Sequence, residues 1–210
     1  MKNCVIFCAG EFDRLEMPLG DAFVIAADGG YAHTQKLGIR PDLVLGDFDS
    51  LGYVPAGAWT HPIEKDDTDA LLAIRAGLDA GCTDFLIYGA LDGPRLDHTV
   101  ANLQSLLFLA EHGARGTLVG LHSIITVVQN ETLIFPEDSA GTISLFCMGQ
   151  PACGVSIRGL KYELEDGTLS PAYPLGVSNQ FLGKESKIVA RDGCVLMIFD
   201  RSNGMRWRYE

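Results

Sequence analysis

The spacing of apolar residues changes once along the chain. In the first half, short unbroken apolar runs alternate with helical stripes. Residues 4–8, 22–27, 42–45 and 84–88 are runs rich in β-branched, aromatic and aliphatic side chains, and each predicts a strand. Between them, Leu71, Ile74 and Leu78 fall on one helical face of residues 69–80, with Gly81 placed to end that helix. Val100, Leu103, Leu107 and Ala110 do the same for residues 98–112, closed by Gly113. Alternating strands and helices predict a parallel sheet flanked by helices.

From about residue 115 the helical period disappears. Residues 115–120, 123–129, 131–135, 142–148, 153–158, 187–191 and 194–199 read as short strands, separated by turn residues such as Gln129-Asn130 and Asp192-Gly193. That spacing predicts an antiparallel sandwich or small barrel. The change of rhythm sets a domain boundary within residues 113–121, giving an α/β N-terminal domain over 1–118 and an all-β domain over 119–210.

Composition narrows the function. The 210 residues are 47% apolar and 20% charged, ordinary globular values that make disorder an unsuitable reading. A chain of this length buries roughly 70% of its unfolded surface and needs no staple. The formal net charge of −11 argues against a nucleic-acid binder, which requires a basic face. It suits phosphate chemistry only where a divalent cation stands between acidic side chains and substrate. The apolar N-terminal run is too short for a signal peptide and no run approaches a membrane span, so a cytoplasmic protein is expected. The six cysteines form no metal-binding spacing, and Cys4 and Cys8 read as small buried hydrophobes.

The candidate chemistry lies in four acidic groups, each just after a predicted strand or at a predicted helix start. Ligands of open α/β sheets bind outside the carboxyl ends of the strands, so these groups are expected to converge on one crevice. Ala27-Asp28-Gly29-Gly30 follows the second strand and also suits a plain strand-to-helix turn. Gly46-Asp47-Phe48-Asp49-Ser50 follows the third, and its two carboxylates suit a hard cation. Lys65-Asp66-Asp67-Thr68-Asp69 leads into the first predicted helix. One residue of it, Thr68, serves as a cap, which leaves Asp69 for a metal and Lys65 for phosphate. Gly93-Pro94-Arg95-Leu96-Asp97-His98 opens the second predicted helix. Asp97 there suits a cap, Arg95 suits phosphate oxygens, and His98 suits a supporting place beside them. The sequence has no P-loop motif and no complete dinucleotide fingerprint.

In this order the groups resemble the thiamine pyrophosphokinase (thiamine diphosphokinase) family. The stretches that carry the resemblance are ADGG at 27–30, PDLVLGDFDS at 41–50, KDDTDALLAI at 65–74, RLDHTVANL at 95–103, GLKYEL at 159–164 and GVSNQF at 176–181. Together they span nearly the whole chain. Gly93-Pro94 stands where the family carries two glycines, which removes one backbone donor.

The resemblance implies an α/β nucleotide domain followed by a β-sandwich, acting as a homodimer with shared active sites. It implies transfer of the pyrophosphoryl group of ATP to the hydroxyl of thiamine, with Mg²⁺ as cofactor and no nucleic-acid or membrane partner. Carried over by position, Asp47, Asp49 and Asp69 are the metal ligands. Asp28, Lys65, Asp66, Thr68, Arg95 and His98 face the nucleotide. Asp69, Arg95 and Asp97 are the catalytic candidates, and Ser178 and Asn179 hold the thiamine pyrimidine. Residues alone leave three other readings open: the same transfer to a hydroxymethylpterin, a non-catalytic nucleotide or thiamine sensor, and aspartates that merely cap helices.

Overall fold

The computed structural model describes residues 2–49, 51–60 and 67–210. The chain forms two compact units, Met1–Leu121 and His122–Glu210.

In the first unit, strands β1 (Asn3–Phe7), β2 (Phe23–Ala27), β3 (Leu43–Gly46), β4 (Trp59–Thr60), β5 (Asp84–Tyr88) and β6 (Arg115–Val119) are joined through helices α1 (Gly30–Lys36), α2 (Asp69–Asp79) and α3 (Leu96–Glu111). The strands pair in parallel in the order β6-β5-β1-β2-β3-β4. Parallel strands covered by helices are buried on both faces, which explains why β1, β2 and β5 read as continuous apolar runs. The chain adds β2, β3 and β4 on one side of β1 and then crosses to place β5 on the other. Strand order therefore reverses between β1 and β5, and an open α/β sheet has its ligand crevice at such a point.

Both longer helices bury a face displaced from the apolar stripe read in the sequence. In α2 the buried residues are Ala73, Ile74 and Gly77, while Leu71 and Leu78 are only half-buried. In α3 they are Asn102, Ser105, Leu106 and Leu109, and Val100 is exposed. Polar residues occupy that face because their hydrogen bonds are met inside. The Asn102 Nδ2 donates to the Ala90 carbonyl at 2.7 Å and the Ser105 hydroxyl to the Ala101 carbonyl at 3.0 Å. The helix also begins at Leu96, so Asp97 lies inside its first turn and is not its cap.

The second unit contains β7 (Ser123–Gln129), β8 (Thr132–Phe135), β9 (Thr142–Cys147), β10 (Ala152–Arg158), β11 (Leu164–Leu169), β12 (Gly176–Gln180), β13 (Ser186–Val189), β14 (Cys194–Asp200) and β15 (Arg208–Tyr209). They pair antiparallel in two sets, β12-β9-β14-β7 and β11-β10-β13-β8-β15. Both sets contribute to one core, in which Phe135 meets Phe181 and Phe199 with ring centroids 5.2 and 5.0 Å apart. Strands β11 and β12 lack a strand signature in the sequence. Gly167 and Asp166 interrupt the first, and the second is broken by an irregularity between Gly176 and Asn179. All six cysteines are free thiols.

Candidate active site

The ends of β2 and β3 bring the first carboxylates together. Asp28 follows β2 with φ of 49°, and its amide donates to the Leu45 carbonyl at 2.8 Å, which fixes it beside the end of β3. After β3, Phe48 takes φ of 60° and buries its ring almost completely, at 2% exposure. An aromatic residue in the left-handed region is strained by roughly 1–2 kcal/mol, which burial of its ring offsets. With Phe48 turned inward, Asp47 and Asp49 flank it at the sheet edge, and the Asp47 carboxylate accepts the Asp49 amide at 3.2 Å. One carboxylate oxygen from each of Asp28, Asp47 and Asp49 lies within 4.8 Å of the others. Three hard oxygen donors at this spacing suit Mg²⁺, whose ligands sit at about 2.1 Å.

Gly46 makes that approach possible. Its φ is 149°, and a Cβ there would stand 2.9 Å from the Asp28 Cα and 3.0 Å from its amide nitrogen. Backbone atoms cannot swing aside as a flexible side chain does. Gly46→Ala is therefore expected to cost about 1–3 kcal/mol, as overpacking does, and to abolish Mg²⁺-dependent nucleotide binding in calorimetry. Wild-type melting and binding in that variant would refute the steric account.

Beside the carboxylates, at the β1/β5 reversal, lies a cavity of about 340 Å³. Its walls include Cys8 and Gly10 after β1, Gly89 and Leu91 after β5, Asp28, Asp49, Thr68 and Asp69, and Arg95 and His98 at the start of α3. The volume is of the order that holds a small ligand. Cys8 is buried beside these acids. Desolvation first, then the negative charges of Asp69 and Asp28, push its thiol up to about 12, so it stays protonated and inert.

The helix starts divide the remaining roles. The Thr68 hydroxyl accepts the Leu71 amide at 3.2 Å and caps α2, leaving Asp69 on the cavity wall. Arg95 grips Asp97 through two hydrogen bonds, Nε to Oδ1 at 3.2 Å and Nη2 to Oδ2 at 2.5 Å, in an exposed pair. That bond and the charge of Arg95 hold the Asp97 carboxyl below the usual carboxylate range, and Asp97 in turn raises Arg95 further. Lys65 and Asp66 lie outside the described residues.

The cavity also uses residues that the sequence reading passed over. Ala9, Gly10, Gly89, Ala90 and Leu91 line it, yet carry no charged group to draw notice. The available signal was position, since both segments directly follow apolar strands.

In the second unit, Ser178 and Asn179 differ in what they expose. Ser178 is exposed with φ of 61°. Asn179 is 2% exposed, and its amide is committed to backbone: Oδ1 accepts the Tyr162 and Gln180 amides at 2.9 Å each, and Nδ2 donates to the Tyr162 carbonyl at 2.7 Å. Asn179 and Tyr162 border a smaller cavity of about 120 Å³ with Leu175 and Val177.

Comparison with known proteins decides the family. Residues 19–117 match the model of the thiamin pyrophosphokinase catalytic domain, and residues 127–195 match that of its vitamin B1 binding domain. The chain belongs to the thiamine pyrophosphokinase family.

Thiamine pyrophosphokinase from Bacillus subtilis shares the fold with a TM-score of 0.81 at 22% identity, covering 95% of this chain and 99% of its own. A thiamin pyrophosphokinase family protein from Enterococcus faecalis gives 0.78 at 24% identity, covering 94% and 98%. Yeast thiamin pyrophosphokinase gives 0.73 at 15%, covering 97% and 88%. No curated protein sequence is matched. As a thiamine pyrophosphokinase, the chain transfers the pyrophosphoryl group of ATP to the hydroxyl of thiamine, yielding thiamine diphosphate and AMP. The pterin-acceptor, sensor and helix-cap readings give way to that activity.

Proposed function

We propose that the crevice at the strand ends of the first unit binds ATP with Mg²⁺, and that Asp28, Asp47 and Asp49 hold the metal with Asp69 beside them. The observation that carries this reading is the convergence of Asp28, Asp47 and Asp49 at the sheet's reversal point, where Asp28 and Asp49 also line the cavity. When bound, the ion would neutralise phosphate charge and act as a Lewis acid.

The chain's own residues supply the rest. Thr68 fixes the start of α2 and so the direction of Asp69. Arg95 presents its guanidinium to phosphate oxygens, and His98 borders the same cavity. Lys65 and Asp66 complete the nucleotide side in this reading. In the reaction the thiamine hydroxyl oxygen bonds to the β-phosphorus, the bond from that phosphorus to the AMP oxygen breaks, and the hydroxyl proton is released. Phosphoryl-type transfer asks mainly for positioning and charge neutralisation. Asp97, engaged by Arg95 and held below the usual range, is poorly suited to take that proton.

For the second unit we assign Ser178 to thiamine contact and Asn179 to the wall of the thiamine site. Tyr162, Leu175 and Val177, which border one cavity with Asn179, are large, apolar and exposed. Such a cluster supports association with a second copy and a shared site. Sedimentation velocity at micromolar concentration is expected to give a dimer, and a monomer that turns over at the full rate would end the shared-site reading. Among the described residues no helix is long and apolar enough to cross a membrane, which accords with a cytoplasmic location.

Thermal melting tests the metal proposal directly. ATP with Mg²⁺ is expected to raise Tm, by an amount equivalent to about 2.7 kcal/mol at one hundred times Kd, and ATP with chelator is expected to leave it unchanged. Equal shifts with and without the metal would remove these aspartates from nucleotide binding.

A further inference from the structure

We infer that Asp92 is a positioning residue for Arg95, tying the loop that carries the guanidinium to the end of β6. The inference rests on the reading of Arg95 as a phosphate-binding group. The loop runs from the end of β5 to the start of α3 and is held at three successive residues. The Ala90 carbonyl accepts from Asn102 at 2.7 Å, and Asn102 is itself buried. Leu91 is buried at 7% exposure. Asp92 then takes φ of 52°, and its Oδ2 accepts the Leu121 amide at 2.7 Å, just beyond β6.

The seat for this carboxylate is shaped. A Cβ on Gly120 would stand 2.4 Å from Asp92 Oδ2 and 3.1 Å from a Leu91 methyl, so a side chain there would displace the carboxylate from this position. Beyond Asp92 the chain reaches Arg95 through Gly93 and Pro94. Arg95 occupies the N-cap position of α3 without a side-chain capping bond. Its backbone is held from both sides, by the Thr99 amide of α3, which donates to the Arg95 carbonyl at 3.3 Å, and by the preceding loop fastened at Asp92. Asp92 needs no contact with substrate to act. It sets the conformational range from which the guanidinium reaches a phosphate oxygen, and positioning errors of this kind are costly in transfer reactions.

Four variants and one double variant separate this role from plain structural support. Asp92→Asn keeps an acceptor oxygen and tolerates a positive φ. Asp92→Gly relieves the backbone and removes the acceptor. Asp92→Ala removes the acceptor in an unfavourable backbone, and Asp92→Gly carries the same test should Asp92→Ala fail to fold. Turnover is expected to fall about 10–100-fold in the glycine and alanine variants, as for other residues that orient a functional group, and to be largely retained by asparagine. Hydrogen exchange at the Leu121 amide should quicken in the glycine and alanine variants and not in asparagine. The deciding measurement is the cycle with Arg95→Ala: the double variant Asp92→Gly/Arg95→Ala is expected to be no slower than Arg95→Ala alone. Additive losses, or full turnover in Asp92→Gly, would overturn the inference. Full turnover in Arg95→Ala would instead remove the reading of Arg95 on which it stands.

Discussion

Asp49→Asn is expected to lower kcat/KM by about a thousandfold, because it removes one anionic donor from the proposed metal-binding trio and would weaken a charge clamp worth several kcal/mol in the transition state. Asp49 is the most exposed of the three carboxylates and lines the cavity, whereas Asp47 also accepts the Asp49 amide. The asparagine keeps the shape and one oxygen, so the fold is expected to survive with little change in melting temperature. The Mg²⁺-dependent rise in Tm with ATP should shrink or vanish in the same variant. A loss of activity with the metal-dependent shift intact would place Asp49 elsewhere in the chemistry. Full activity would remove it from the site.

Arg95→Ala comes next in size, with kcat expected to fall on the order of 10²–10³-fold, the range seen when one donor to developing transition-state charge is deleted. The arginine is exposed and partnered by Asp97, so its removal should leave stability almost unchanged while turnover collapses. Asp97→Asn is expected to cost less than tenfold, since in the proposed reading it loosens the arginine without removing a base. The sign of the titration supports this. The Asp97 carboxyl lies below its ordinary range, so the pair is complete above the ordinary carboxylate pKa and is lost as pH falls through the lowered value. An acidic limb near neutral pH therefore does not come from Asp97. A drop of a hundredfold or more in Asp97→Asn, with that limb abolished, would make Asp97 the base after all.

Much of the architecture is legible in the sequence. Continuous apolar runs identify β1, β2 and β5 because parallel strands are buried on both faces, and the loss of helical period marks the β-rich half. Thr68 was readable as a cap, with Asp69 left for other work, because only one side chain can occupy an N-cap. Strands β11 and β12 were not legible. Their hydrogen bonds come from neighbours distant in sequence, so glycine, aspartate and a positive φ at Ser178 are tolerated there.

The sequence by itself determined which chemistry the chain can offer: hard carboxylates after strands, an arginine in a turn, and no P-loop. Only the tertiary structure decided which groups meet. Asp28 lies nearly twenty residues before Asp47, yet parallel pairing of β2 with β3 and the bare Cα of Gly46 bring them together. Tertiary contact likewise turns Asn179 inward to hold Tyr162 and sets Asp92 on the end of β6. Residue type fixes what a side chain can bind. Its partners follow from strand order, register and the space that neighbouring residues leave, and none of these is a local property of the sequence.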